Sequence, residues 1–123
     1  MVECTPRTEL RLRLVFAGGA MIGPGKADLL ELIAETGSIS AAGRRMGMSY
    51  KRAWTLVETL NAIFETPLVE RSRGGAQGGG ATLTVTGQGV LSHYRRLESR
   101  ARAAGADDVA AIEAMLGSAP APK

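Results

Sequence analysis

The apolar positions between Ser38 and Phe64 recur with the period of a helix, and they predict two helices joined by a tight turn. Either Ser38 or Ser40 can cap the first helix, because a serine oxygen accepts hydrogen bonds from the free amides of a first helical turn. Gly47 is predicted to end that helix, and Ser49 to cap the second. The second helix is predicted to bury one apolar stripe, formed by Ala53, Trp54, Val57, Leu60 and Phe64.

The pattern before this pair predicts a strand and then a helix. Apolar and polar positions alternate from Leu10 to Phe16, which is typical of a half-buried strand that pairs with another. Glycines follow, so a strand around Met21 and Ile22 must be short. A helix is predicted to begin at about Gly25 and to end at Gly37.

The pattern after the second helix predicts a two-stranded ribbon. Pro67 should close the helix, because proline cannot continue it. A strand over 68–71 and a return strand over 81–85 flank a loop from Ser72 to Gly80. A ribbon directly behind a helix-turn-helix is a wing, so we expect a winged helix-turn-helix.

The predicted wing loop is rich in glycine, which raises the question of a phosphate-binding loop. A Walker motif needs a lysine after its last glycine, and Gly80 is followed by Ala81 and Thr82 instead. Because a helix-turn-helix is a DNA-binding motif, we interpret the loop as a flexible tip whose flanking Arg71 and Arg73 contact the DNA backbone or the minor groove. The alternative is a hairpin that contacts nothing.

The C-terminal third predicts helices with more apolar surface than a small domain buries. A helix capped by Thr86 should begin at Gly87 and be interrupted at Gly105. A further helix over 107–116 carries an apolar side that a second copy of the chain could cover.

The predicted fold is mainly α with a small β component, a winged helix-turn-helix with a C-terminal dimerisation helix. We expect a flexible N-terminus over 1–9, the winged domain with its linker helix over 10–105, the C-terminal helix over 106–116 and a disordered tail over 117–123.

Composition restricts the chemistry of the chain. With 123 residues and a net charge of +3, it is long enough for one domain, and its basic character depends on local placement. Cys4 is the only cysteine and His93 the only histidine, which gives no zinc-site spacing and no catalytic pair. We predict no enzyme activity and no cofactor. No signal-peptide run and no stretch near the ~18 apolar residues of a membrane span occur, so a cytoplasmic protein is expected.

Local charge supports a nucleic-acid surface on the helix pair. No acidic residue lies between Thr36 and Val57, whereas four basic residues do. A solvated face of an ordinary helical pair is the alternative, but the charges coincide with the helix that would enter the major groove. Lys51 and Arg52 can donate to guanine or to phosphates, and phosphate contacts are predicted for Arg44, Arg45, Arg71 and Arg73.

The motifs also resemble a known family, the N-terminal DNA-binding domain of the ModE molybdate-responsive regulators, related to LysR-type winged helices. The similarity lies in the Ser-Tyr-Lys-Arg-Ala-Trp segment of residues 49–54, in Gly-Ser-Ile-Ser at 37–40 and in the glycine-rich wing. The resemblance implies a homodimer that binds a palindromic operator and controls molybdate-uptake or molybdoenzyme genes. It also implies that Ser49, Tyr50, Lys51, Arg52 and Thr55 face the major groove.

Full members of that family carry C-terminal molybdate-binding domains, and these 123 residues contain no Ser-Ala-Arg-Asn type oxyanion motif. We therefore expect any effector to be sensed by another route, including a separate protein. Two further hypotheses stay open: a winged-helix module that binds a protein, and a small oxyanion-binding protein. Steep salt dependence would distinguish DNA binding from the first.

Overall fold

The computed structural model describes residues 8–72 and 80–117, which form five helices and two small antiparallel sheets. The predicted fold class, mainly helical with a small β component and a wing, is confirmed. In chain order the elements are β1 (Leu14–Val15), β2 (Met21–Ile22), α1 (Pro24–Thr36), α2 (Ile39–Arg45), α3 (Tyr50–Ile63), β3 (Val69–Ser72), β4 (Gly80–Leu83), α4 (Val85–Ala104) and α5 (Ala106–Glu113).

The N-terminal hairpin is shorter than the alternation predicted. β1 spans only two residues. Leu14 pairs with Ile22 and Val15 with Met21, and the side chains of both β1 residues are exposed. Gly18 and Gly19 take φ of 99° and 101°, so the chain reverses at once and leaves little strand to pair. The prediction of a strand from Leu10 to Phe16 was therefore wrong in length, whereas the short strand at Met21 and Ile22 is confirmed.

Serine caps start both helices of the helix-turn-helix, as predicted. The Ala41 amide donates to Ser38 Oγ at 3.0 Å, and the Arg52 amide donates to Ser49 Oγ at 3.1 Å. Between the helices Gly47 adopts a φ of 74°, which ends α2 in a tight turn.

The wing is anchored to the helices at both of its strands. β3 pairs with β4 from Val69 opposite Leu83 to Ser72 opposite Gly80, and the Ala81 amide donates to the Gly37 carbonyl at 2.9 Å. The wing therefore keeps a fixed position beside the start of α2.

Several element boundaries differ from the prediction: β3 spans 69–72 and β4 begins at 80, so Ser72 and Gly80 are paired strand residues rather than loop, and α5 spans 106–113 instead of 107–116. α3 ends at Ile63, before Pro67, because Phe64 leaves the helix with extended backbone and packs edge-on against Phe16. β4 ends at Leu83, and Thr84 rather than Thr86 caps α4, since Thr84 Oγ1 accepts from the Gly87 amide at 2.9 Å. Val85, predicted to lie in the return strand, is instead the first residue of α4.

One core joins α1, α2, α3, the wing and the start of α4. Within the described residues the buried apolar side chains all lie between Ile22 and Tyr94. The Tyr94 hydroxyl donates to the Leu12 carbonyl at 2.7 Å, and this contact ties α4 to the N-terminal segment. Burial first, and the neighbouring carboxylate of Glu98 second, raise the pKa of Tyr94. No helix within residues 8–72 and 80–117 is long and apolar enough to cross a membrane.

Candidate nucleic-acid interface

Helix α3 presents three rows of side chains outside its buried face. Residues four apart share a helix face, and Ala53, Val57 and Leu60 form the buried one. Opposite that face lie Lys51 and Thr55, both exposed. The predicted exposure of the lysine-arginine side of this helix is therefore confirmed. Glu58 lies on the same outward side one turn later, so the basic face is confined to the first two turns.

The second row faces the wing. Tyr50, which is 52% exposed, lines a cleft of about 610 Å³ with the start of α2 and the facing wing strands. One turn later the guanidinium carbon of Arg71 lies 5.4 Å from the ring centroid of Trp54. The prediction that Trp54 is buried in the core was wrong: it is only partly buried, because it lies between the core and the wing and is covered by an arginine. The cleft is lined by Ser38, Ile39, Ser40, Tyr50, Arg71, Ser72, Gly80 and Ala81.

The third row faces the N-terminal hairpin. Arg52 and Leu56 line a groove of about 750 Å³ together with Arg11, Arg13 and Lys26. Sequence reasoning missed these three cations as site residues. A signal was present, since Arg11 and Arg13 alternate with leucines in the N-terminal segment, but it was interpreted only as the polar side of a strand.

The other predicted phosphate contacts lie on α2 and on the wing. Arg44 is exposed and donates to Ser40 Oγ at 3.1 Å, and the exposed Arg45 pairs with Glu35 at 3.6 Å. Both surface contacts are of the weak, exchangeable kind. Ser49 is exposed, with its side-chain oxygen engaged in the helix cap. Arg73 and the glycine-rich tip lie outside the described residues, as does Cys4.

Polar side chains also fix the scaffold behind this surface. Asn61, which sequence reasoning missed, accepts from the amides of Leu68 and Val69 and donates to the Val69 carbonyl, at 2.8 to 3.1 Å. Asn61 therefore joins α3 to β3, the first strand of the wing. A single asparagine near the end of a helix gives no sequence signal for such a role.

A second polar cluster joins α1 to α4. Arg95 donates to Asp28 and Glu31 at 2.7 Å and to Glu98 at 3.1 Å. Burial by itself would lower the pKa of Arg95, but the hydrogen bonds of the three carboxylates outweigh it and the pKa is raised. The cation therefore holds α4 in a fixed direction relative to the helix-turn-helix.

The described residues contain no group of three or more histidine, cysteine or acidic side chains arranged to hold a metal ion. His93 is exposed on α4, with Nδ1 3.0 Å from a guanidinium nitrogen of Arg96.

A capped helix pair followed by an anchored two-stranded ribbon defines a winged helix-turn-helix DNA-binding domain. The sequence model of one protein family, the bacterial regulatory helix-turn-helix proteins of the LysR family, matches residues 26–88. The chain belongs to this family. The DNA-binding domain of CbnR, solved as a complex with DNA, superimposes with a TM-score of 0.57 and 27% identity over 72% of this chain and 95% of that one.

Curated relatives confirm the resemblance to the ModE regulators. The chain is 46% identical over 87 residues to the molybdenum-pterin-binding protein MopA of Rhodobacter capsulatus, which covers 71% of this chain and 33% of the relative. It is 40% identical over 88 residues to the DNA-binding transcriptional dual regulator ModE of Escherichia coli, which covers 72% of this chain and 34% of that protein. The chain thus spans about a third of the length of these relatives.

Proposed function

We propose that this chain is the DNA-binding part of a bacterial transcription regulator that binds a palindromic operator as a homodimer. The observation that carries the proposal is the outward row of α3, in which Lys51 and Thr55 are exposed between two clefts that contain further cations. A helix of this kind enters the major groove by its N-terminal end.

The residues divide by their position around α3. Lys51 and Thr55 contact base edges, and Arg52 reaches a base or a neighbouring phosphate. Ser49 and Tyr50 approach the same groove at the start of the helix. Phosphate contacts are made by Arg44, Arg45, Arg71 and Arg73, which set the register of the protein on the duplex.

The dimer in this proposal forms through the C-terminal helices. α5 buries none of its side chains, and Ile112, Met115 and Leu116 are 64%, 79% and 69% exposed. A second copy that covers these residues would place two recognition helices at half-sites about one helical turn apart, roughly 34 Å. The winged domain accordingly occupies 10–105 and the dimerisation helix 106–116.

The genes under control are those of molybdate transport or of molybdoenzymes. The support comes from the names of the relatives, a molybdenum-pterin-binding protein and ModE regulators, at 38 to 46% identity. The relatives are matched over a third of their length, so this assignment concerns the regulated genes and leaves molybdate sensing to other residues or to a separate protein.

Genomic selection tests the proposal directly. Fragments of the source genome are incubated with the purified chain, bound fragments are sequenced, and affinities are measured at rising salt concentration. We expect enrichment of a palindromic site near molybdenum-related genes and a steep loss of affinity with salt. No preference for any fragment would contradict the proposal. Salt-insensitive capture of a protein would favour an interaction module, and equilibrium binding of molybdate to the chain would favour an oxyanion-binding protein.

A further inference from the structure

The groove between α3 and the N-terminal hairpin collects positive charge from separate parts of the chain. Arg11 and Arg13 come from the segment that leads into β1, Lys26 from the first turn of α1 and Arg52 from the first turn of α3. Among the described residues that line this groove there is no carboxylate. Like charges gathered around one concave surface repel each other and attract counterions, which an incoming polyanion would replace.

The fold holds one of these cations in place. The Lys26 ammonium donates to the Met21 carbonyl at 3.0 Å, which fixes it against the last strand of the hairpin. Arg13 is exposed and lies near Gly23, where an added Cβ would be 3.7 Å from Arg13 Cγ. Arg11 pairs with Glu9 at 3.1 Å, but both side chains are about two-thirds exposed, so this pair exchanges at little cost.

The groove is not uniformly polar, and this decides between a small anion and a nucleic-acid strand. Methionine and leucine side chains contribute much of its lining, whereas the cations are supplied by long side chains. A sugar–phosphate backbone matches this mixture, because its deoxyribose rings offer carbon surface between regularly spaced charges. The apolar side chains of the lining are those of Met21, Pro24, Met46, Met48 and Leu56.

We propose that this groove binds the sugar–phosphate backbone of one DNA strand, on the side of the recognition helix opposite the wing. The inference rests on the proposed DNA-binding function and extends it to Arg11, Arg13 and Lys26. The family model begins at residue 26, so the two arginines lie outside the segment that matches LysR-type proteins in general. The domain would thus hold the duplex from both flanks of α3.

The test compares two charge-matched variants of the full chain. R11A/R13A removes two charges from the groove, and R96A/R100A removes two exposed charges from α4. Affinity for the selected operator and for a scrambled duplex is measured by fluorescence anisotropy over a series of salt concentrations. If two phosphate contacts are lost, the slope of log K against log salt concentration should become shallower by about 2 for R11A/R13A on both duplexes. For R96A/R100A the slope should stay within about half a unit of the wild type.

Phosphate ethylation interference then separates contact from general attraction. In the wild type we expect interfering phosphates on both flanks of each half-site, and R11A/R13A should lose those of one flank while R71A loses those of the other. An unchanged interference pattern, or equal slopes for the two charge-matched variants, would overturn the groove assignment while leaving DNA binding intact. A wild type without affinity for any duplex would overturn the proposed function itself.

Discussion

The body of the domain and its C-terminal end differ in how far their apolar side chains are buried. All the buried apolar side chains of the described residues lie between Ile22 and Tyr94 and pack into one core. From α5 onward, in the described residues, the large apolar side chains are exposed, and Ile112 and Met115 are the clearest examples. This contrast supports the proposed dimer, because exposed apolar side chains grouped at one end of a domain mark an interaction surface.

α4 connects the two regions along the chain, and Thr8 adds a side-chain hydrogen bond to Glu113 of α5. α4 begins inside the body, where Gly87 approaches the Leu68 carbonyl so closely that an added Cβ would lie 2.1 Å from that oxygen. It leaves the body past Arg95, which the carboxylates of α1 hold in place. In the proposed dimer, the direction of α4 sets where the partner copy places its own recognition helix.

The contrast is tested most strongly by matched truncations in the two regions. Leu60 is fully buried on the inner face of α3, and L60A should lower the free energy of unfolding by about 2–5 kcal/mol, because it leaves a cavity in a closed core. Chemical denaturation measures this. L116A is the control, since Leu116 is 69% exposed, and at concentrations where the chain is monomeric it should change stability by less than about 0.5 kcal/mol. Equal effects would contradict the division.

The next largest effect concerns the polar link between α3 and the wing. N61A removes the acceptor of the Leu68 and Val69 amides, and an unsatisfied buried amide costs about 1–3 kcal/mol. Amide hydrogen exchange at these two positions should accelerate with the loss of stability. T59A, at an exposed position on the same helix, serves as the control. Unchanged protection at both amides would show that Asn61 does not hold the wing.

Pairing through the C-terminal end predicts a change in assembly rather than in folding. I112S/M115S should weaken dimerisation about tenfold or more, which corresponds to about 1.4 kcal/mol, because it removes apolar surface that only a partner can cover. Sedimentation equilibrium gives the dissociation constant. The isolated monomer should keep its helical circular dichroism, since neither residue is buried within it. Unaltered dimerisation would move the interface elsewhere.

The smallest expected effect lies at the boundary between recognition helix and wing. W54L removes the ring below Arg71, and loss of this contact should weaken DNA binding by about 0.5–1 kcal/mol. W54F keeps an aromatic face and should lose less. In an R71A background the W54L change should have little further effect on binding, as a double-mutant cycle would reveal. Additive losses would mean that Trp54 acts without Arg71.

Local signals predicted the helix-turn-helix well, because a serine cap or a glycine turn sets the start or end of a helix through residues only a few positions away. The wing was harder. Thr86 was predicted to cap α4, but packing selects Thr84, since Thr84 Oγ1 also donates to the Pro67 carbonyl at 2.7 Å. The start of α4 therefore depends on a contact that is distant in the chain.

The exposed row along α3 could be predicted from the sequence, whereas the basic groove beside it could not. Periodicity places Lys51 and Thr55 opposite the core, so their exposure follows from the sequence. Trp54 was misassigned because large aromatic residues on an apolar stripe are usually buried, and nothing local reveals that a wing arginine will cover it. Arg11 and Arg13 were missed because only the folded hairpin brings them near Arg52.

The central claim is that the outward row of α3 reads bases, and the affinity of K51A for its operator and for random DNA tests it most directly. If Lys51 contacts a base, the ratio of the two affinities should fall by the equivalent of about 1–3 kcal/mol, with preference relaxed at one position of each half-site. An equal loss on both duplexes would make Lys51 a phosphate contact. An undiminished affinity for the operator would contradict the account of α3 as the recognition helix.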